Sequence, residues 1–116
     1  MTRCYLATTA DLLAEQLAAG RIRATTEVVI ADSDDEEAEY DALMTAAEQS
    51  QELLDGPGRR FVLVAELPDE ATAQAGFGRD RLRAVHADPE PRPRDADPDD
   101  DLGWYAVQEL EALLES

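Results

Sequence analysis

The sequence predicts an α/β domain, with α+β as the alternative: one mixed sheet of four strands and three helices, in the order β-α-β-α-β-β-α. Three observations carry that prediction. Phe61-Val62-Leu63-Val64-Ala65 is an unbroken apolar run of strand length, bounded by Gly56-Pro57-Gly58 and by Pro68. Continuous rather than alternating apolar character belongs to a strand covered on both faces. Segments with apolar residues at helical spacing lie on either side of it to supply that cover. Finally, a chain of 116 residues with one cysteine is a single domain, residues 1–116, that must cohere through a buried core without a disulfide.

Taken in order, Arg3 to Thr8 reads as the first strand, with Cys4 and Leu6 on one face and Tyr5 and Ala7 on the other. Thr8 or Thr9 caps an Ala-rich helix whose stripe is Ala10, Leu13 and Leu17 beside Ala14 and Ala18, and Gly20 stands where a left-handed C-terminal residue is wanted. Thr26 to Ala31 is nearly continuous in apolar character and is a second candidate for the sheet interior. Ser33 and Glu36 have the spacing of a capping box, and acidic residues crowd the turn that follows, where the helix dipole favours them. That helix runs to about Leu54 with Tyr40, Leu43, Met44, Ala47 and Leu54 as its apolar stripe.

Beyond the central run, Pro68 to Gly78 reads as a connection and Arg81 to Ala87 as the fourth strand. There Leu82, Ala84 and His86 share one face and Arg81 and Arg83 the other, which predicts an edge position. Asp88 to Asp101 is acidic and carries four prolines, the pattern of a mobile linker. Leu102 to Leu114 closes the chain as an apolar helix that must dock back on the domain. Helical crossovers between the first three strands predict that those strands are parallel.

Charge narrows the functions. Asp plus Glu is 27 against 10 for Lys plus Arg, a net charge of −17, and all ten cations are Arg. Phosphate backbones and anionic membranes repel such a chain, so neither nucleic acid nor membrane is an expected partner. The N-terminus lacks a signal-peptide core and no apolar run can span a bilayer, so a cytoplasmic location is expected. A lysine-free, acid-rich composition follows from GC-rich coding or from salt adaptation.

No catalytic motif of defined spacing is present, and no metal or cofactor is expected. Calcium-loop spacing fails from both Asp32 and Asp95, and Gly76-Phe77-Gly78 lacks the third glycine and the lysine of a phosphate loop. His86, the sole histidine, is the one catalytic candidate, and Cys4 pairs with it only if their strands are neighbours in register. Trp104 and Tyr105 form the densest aromatic point and are candidate binding residues, with Tyr40 and Glu39 as candidates for a pocket near His86. The leading expectation is a non-catalytic module that binds a protein partner or a second copy of itself. The alternative is a small-molecule binder or enzyme with a pocket at His86.

Three segments also carry a resemblance: Glu39-Tyr40-x-Ala42-Leu43-x-x-Ala46-Ala47, Ala84-Val85-His86-Ala87-Asp88, and Trp104-Tyr105-Ala106-Val107-Gln108-Glu109-Leu110. Together with the opening strand and helix they resemble a family of small acidic proteins of unknown function from high-GC actinobacteria. The resemblance implies no activity, cofactor or catalytic residue, and it favours GC-rich coding as the source of the composition. It also implies an extra aromatic-containing segment between the second strand and the acidic helix, which this chain lacks, since Ala31 runs almost directly into Ser33.

Overall fold

The computed structural model describes residues 1–115. Their order is β1 (Thr2–Thr8), α1 (Ala10–Ala19), β2 (Val29–Ile30), α2 (Glu36–Leu54), β3 (Phe61–Leu67), α3 (Glu70–Ala75), β4 (Leu82–Ala87), β5 (Gly103–Tyr105) and α4 (Leu110–Glu115), with single 3₁₀ turns at Arg79–Arg81 and Val107–Glu109. The result is an α+β domain with one five-stranded sheet, ordered β2-β1-β3-β4-β5, in which every strand pairing is antiparallel. The expected four strands, three helices and mixed sheet are corrected accordingly.

The central strand lies where its composition placed it. β3 occupies the middle of the sheet, and Phe61, Leu63, Ala65 and Leu67 enter one core while Val62 and Val64 enter the other. The first core also takes Cys4 and Leu6 of β1, Leu13 of α1, Ala73 of α3 and Leu110 and Leu113 of α4. The second lies between the sheet and α2 and contains Tyr5, Ala42, Ala46, Ala47 and Ala84.

The helical-crossover argument holds for one pair and fails for the other. After α1 the chain does not re-enter the sheet: Ile22 bridges Phe77, and the Ala24 amide donates to the Ala73 carbonyl at 2.8 Å. This extended stretch reverses direction once more, so β2 arrives antiparallel to β1. β2 and β3, joined by α2, run the same way with β1 inserted between them, a split β-α-β unit. β2 is only two residues long and lies at the sheet edge, not in its interior.

Caps explain most boundaries. Thr9 accepts from the Leu12 amide, and Gly20 ends α1 at φ 78°, a left-handed backbone that glycine adopts without steric cost. Asp35, not Ser33, caps α2: its Oδ1 accepts from the Ala38 amide at 2.8 Å, while the Ser33 hydroxyl donates to its Oδ2 at 2.7 Å. The buried stripe of α2 is Ala42, Ala46, Ala47 and Ser50. Small side chains at i, i+4 and i+8 let the helix approach the sheet closely and push the larger Tyr40, Leu43 and Met44 to its flanks. α3 occupies part of the expected connection because Asp69 caps it, accepting from both the amide and hydroxyl of Thr72 at 2.9 and 2.8 Å.

The expected last helix is divided. Gly103-Trp104-Tyr105 pairs with β4, and helix begins only at Leu110. Ring-bearing residues favour a pleated strand, and β5 gives β4 a partner on its far side, so β4 is an internal strand rather than an edge. A bulge opposite Val64 and Ala65 leaves Arg83 as the extra residue of β4. Leu82 therefore joins the first core, while Ala84 enters the second.

One buried ion pair ties this together. Arg60 and Asp88 are 1% and 2% exposed. Arg60 donates through Nη2 to Asp88 Oδ1 at 2.7 Å and through Nε to Oδ2 at 2.9 Å, and Oδ2 also accepts from the Arg60 amide at 2.8 Å. Its remaining donors reach the carbonyls of Pro98 at 3.1 Å and Asp100 at 2.9 Å. Arg92 adds a longer contact, 3.7 Å, to the same carboxylate. At the same end of the sheet, the buried Ser50 hydroxyl donates to the Thr8 carbonyl at 2.7 Å and accepts from the Phe61 amide at 2.9 Å.

Two stability predictions follow from these contacts. Asp88→Asn leaves Arg60 uncompensated and is expected to cost about 3–5 kcal/mol in urea unfolding. Ser50→Ala strands one buried donor and one acceptor and is expected to cost about 1–3 kcal/mol. A loss below about 0.5 kcal/mol in either variant contradicts the role given to that side chain.

Candidate functional site

α2 covers β1 and β3 but leaves part of the same sheet face open towards β4 and β5. The result is a cleft of about 360 Å³ lined by Arg3, Tyr5, Glu39, Tyr40, Leu43, Val64, Arg83, Ala84, His86 and Trp104. Its floor is sheet: Tyr5 of β1, Val64 of β3 and Ala84 and His86 of β4. One wall is the N-terminal half of α2, and the other is the edge strand β5. His86 and Trp104 are directly opposed across β4 and β5, a pairing that sets their side chains next to each other on the same face.

Four of the five residues singled out in the sequence meet here: His86, Trp104, Tyr40 and Glu39. Tyr105 does not. It alternates to the opposite face and packs against the first core. Cys4 is also on that opposite face, and β3 lies between its strand and that of His86, so no thiol–imidazole pair forms. Burial pushes the Cys4 thiol above its ordinary range.

Arg3, Arg83, Tyr5 and Leu43 are cleft residues that sequence reasoning did not assign. Tyr5 was legible as the face partner of Ala7. Arg83 was not, because only the bulge turns it to this side, and no residue pattern announces the bulge.

Both arginines are neutralised locally. Arg3 Nη1 donates to Glu39 Oε2 at 2.9 Å, and Arg83 Nε donates to Glu66 Oε2 at 3.1 Å. The cleft thus holds charge without an excess of either sign. Tyr40 is fixed by its hydroxyl, which donates to Asp101 Oδ1 at 2.7 Å; that bond raises the phenol above its usual range. Trp104 is 62% exposed and Tyr40 46%, and each presents ring surface to the opening.

His86 is half-buried, and among the described residues its ring has no hydrogen-bond or ion-pair partner. Desolvation by burial lowers its pKa, which favours the neutral imidazole with one donor and one acceptor. Among the described residues, no carboxylate or hydroxyl is bonded to the ring to orient it as a general base.

A second cleft of about 420 Å³ lies where β2 runs into α2 and is lined in part by Asp32, Asp35, Glu37 and Asp41. Among the described residues, no group of three or more His, Cys, Asp or Glu side chains is placed to hold a metal ion. No described helix is long and apolar enough to cross a membrane.

The model of a family of unknown function, DUF6912, matches residues 2–96. No curated protein and no solved structure matches the chain.

The displaced pKa of His86 has a signed consequence. Burial disfavours the imidazolium, so the folded state binds the proton less readily than the unfolded chain, whose histidine titrates near pH ~6.5. The stability this group contributes is complete above that value and is lost as pH falls below it. Wild type is therefore expected to lose more stability than His86→Gln between pH ~7.5 and pH ~5.5, measured by urea unfolding of both. Equal losses would show that the imidazole is as well solvated in the fold as in water.

Proposed function

The chain belongs to a family of unknown function, DUF6912, and we propose that it is a non-catalytic binding protein whose recognition site is the cleft between α2 and the β4–β5 edge. One observation carries the reading: His86, Trp104 and the Glu39-Tyr40 pair, distant in sequence, converge on one concave site in which two rings stand exposed. Concave sites of a few hundred cubic ångströms that combine apolar surface with convergent polar groups suit small ligands. The absence of an oriented acid–base pair around His86 supports binding over turnover. Self-association is opposed by seventeen net negative charges on each copy. The same acidity argues against nucleic acid and anionic membrane. A cytoplasmic setting and an actinobacterial origin, with GC-rich coding behind the lysine-free composition, complete the proposal.

A protein partner anchored by Trp104 is the second reading. It is favoured by the position of that ring on an edge strand, where it is exposed at the rim of the sheet. On either reading the segment 88–101, which leads into β5, is the part of the site whose mobility we propose to matter. Its anchors lie towards its two ends, Asp88 and Arg92 on one side and Pro98 and Asp100 on the other, and the acidic stretch between them is largely exposed.

A thermal-shift screen of metabolites against wild type and Trp104→Ala tests the site. A ligand at a hundred times its dissociation constant is expected to stabilise wild type by about 2.7 kcal/mol, and Trp104→Ala is expected to remove most of that shift while keeping the unliganded melting temperature. A hit that stabilises both proteins equally places the site elsewhere. Consumption of the hit on prolonged incubation overturns the non-catalytic reading.

A further inference from the structure

The geometry points to an uncharged, planar nitrogen heterocycle as the ligand class of the cleft, stacked on Trp104 and read at its edge by His86. This rests on the cleft being the recognition site and adds what the site selects. The first argument is shape. His86 and Trp104 are cross-strand neighbours on one sheet face, so a flat molecule lying against the indole lies beside the imidazole. Tyr40 faces the same space from α2, with its ring held in place by the bond to Asp101. Val64 and Ala84 supply an apolar floor, and Leu43 adds apolar surface on the α2 wall.

The second argument is hydrogen bonding. The imidazole has no protein partner among the described residues, and burial favours its neutral form. A neutral imidazole offers one donor and one acceptor. Ring nitrogens and exocyclic amino or carbonyl groups complement that pair, whereas a hydrocarbon ring leaves it unsatisfied at a cost.

The third argument is charge. Arg3 is matched by Glu39 and Arg83 by Glu66, so the cleft holds no unmatched cation for a phosphate or carboxylate. Beyond it, a net charge of −17 repels anions at long range. Cations fare no better inside, because Glu39 and Glu66 are matched in turn by Arg3 and Arg83 and leave no unmatched anion.

Trp104 is the sole tryptophan, so its emission reports on the proposed stacking surface directly. The experiment titrates the full chain at low salt with adenosine, guanosine, cytidine and uridine, each beside its 5′-monophosphate, and with benzoate and tetramethylammonium. Saturable quenching is expected with at least one uncharged nucleoside, and its monophosphate is expected to bind at least about tenfold more weakly. His86→Phe keeps a flat ring of similar size but removes the donor and acceptor. It is expected to weaken the nucleoside about tenfold or more by calorimetry with the unliganded melting temperature retained.

Equal or tighter binding of the monophosphate, of benzoate or of tetramethylammonium overturns the uncharged-heterocycle assignment and leaves the cleft as the binding site. Nucleoside binding that His86→Phe does not weaken overturns the role of His86. No quenching by any probe also overturns the assignment; the metabolite screen on Trp104→Ala then decides separately whether the cleft binds anything.

Discussion

The Arg60–Asp88 pair is the contact on which the site's geometry depends. Asp88 follows β4 directly and Arg60 precedes β3, so their union fixes the ends of the middle strand and its neighbour against each other. Arg60 is also bonded to the carbonyls of Pro98 and Asp100. A single buried guanidinium therefore holds both ends of an acidic segment that has no regular secondary structure of its own. Where that segment ends, β5 begins. Trp104 stands opposite His86 because β5 pairs with β4 and the chain leading to it is anchored by Arg60.

Burying a charge without a partner is costly, and this one is matched by a carboxylate, two carbonyls and planar two-point geometry. The nearby Arg59 reinforces it: Nε donates to the Asp88 carbonyl and Nη1 to the Leu113 carbonyl, both at 3.0 Å, and the guanidinium lies 5.1 Å from the centre of the Phe61 ring. The adjacent arginines thus divide the work. Arg60 secures the segment before β5, and Arg59 secures α4 after it. α2 completes the site from the other direction. Its alanine stripe brings the helix close enough to seal β1 and β3, and its larger residues, displaced to the flanks, become the wall of the cleft.

How much of this was legible follows from how local each signal is. The central strand was legible because burial on both faces leaves a continuous apolar run at Phe61 to Ala65. α2 and the caps at Thr9 and Gly20 were legible because capping chemistry acts over three or four residues. α3 was missed although Asp69 and Thr72 carried a capping signal, because six small and polar residues bury only Ala73. β5 was misread as helix because Leu102, Tyr105 and Leu110 fit a helical period, while the pairing that makes Gly103 to Tyr105 a strand lies with β4. Nothing local marks Arg60 as buried. Of the site, the residue types were legible at His86, Trp104, Tyr40 and Glu39. Their meeting was not, since it depends on strand order and on a bulge that turns Arg83 to the same face.

The cleft differs in kind from the surface around it. Most of the chain's arginines are tied to named partners: Arg21 to the Ala75 carbonyl, Arg79 to Glu111 and the Val107 carbonyl, Arg92 to Asp97 and Asp100, Arg94 to Asp55. Arg79 beside the exposed Glu111 holds that carboxyl down to about 2. With cations committed to ties of this kind, the acidic excess is left facing solvent. Its field extends over roughly a Debye length, about 8 Å at physiological ionic strength. An approaching ligand meets that negative field first and the balanced interior of the cleft second. A ligand that gains nothing from charge at either stage must be held by ring stacking, apolar contact and one complementary imidazole, and those are the groups that Trp104, Tyr40 and His86 present.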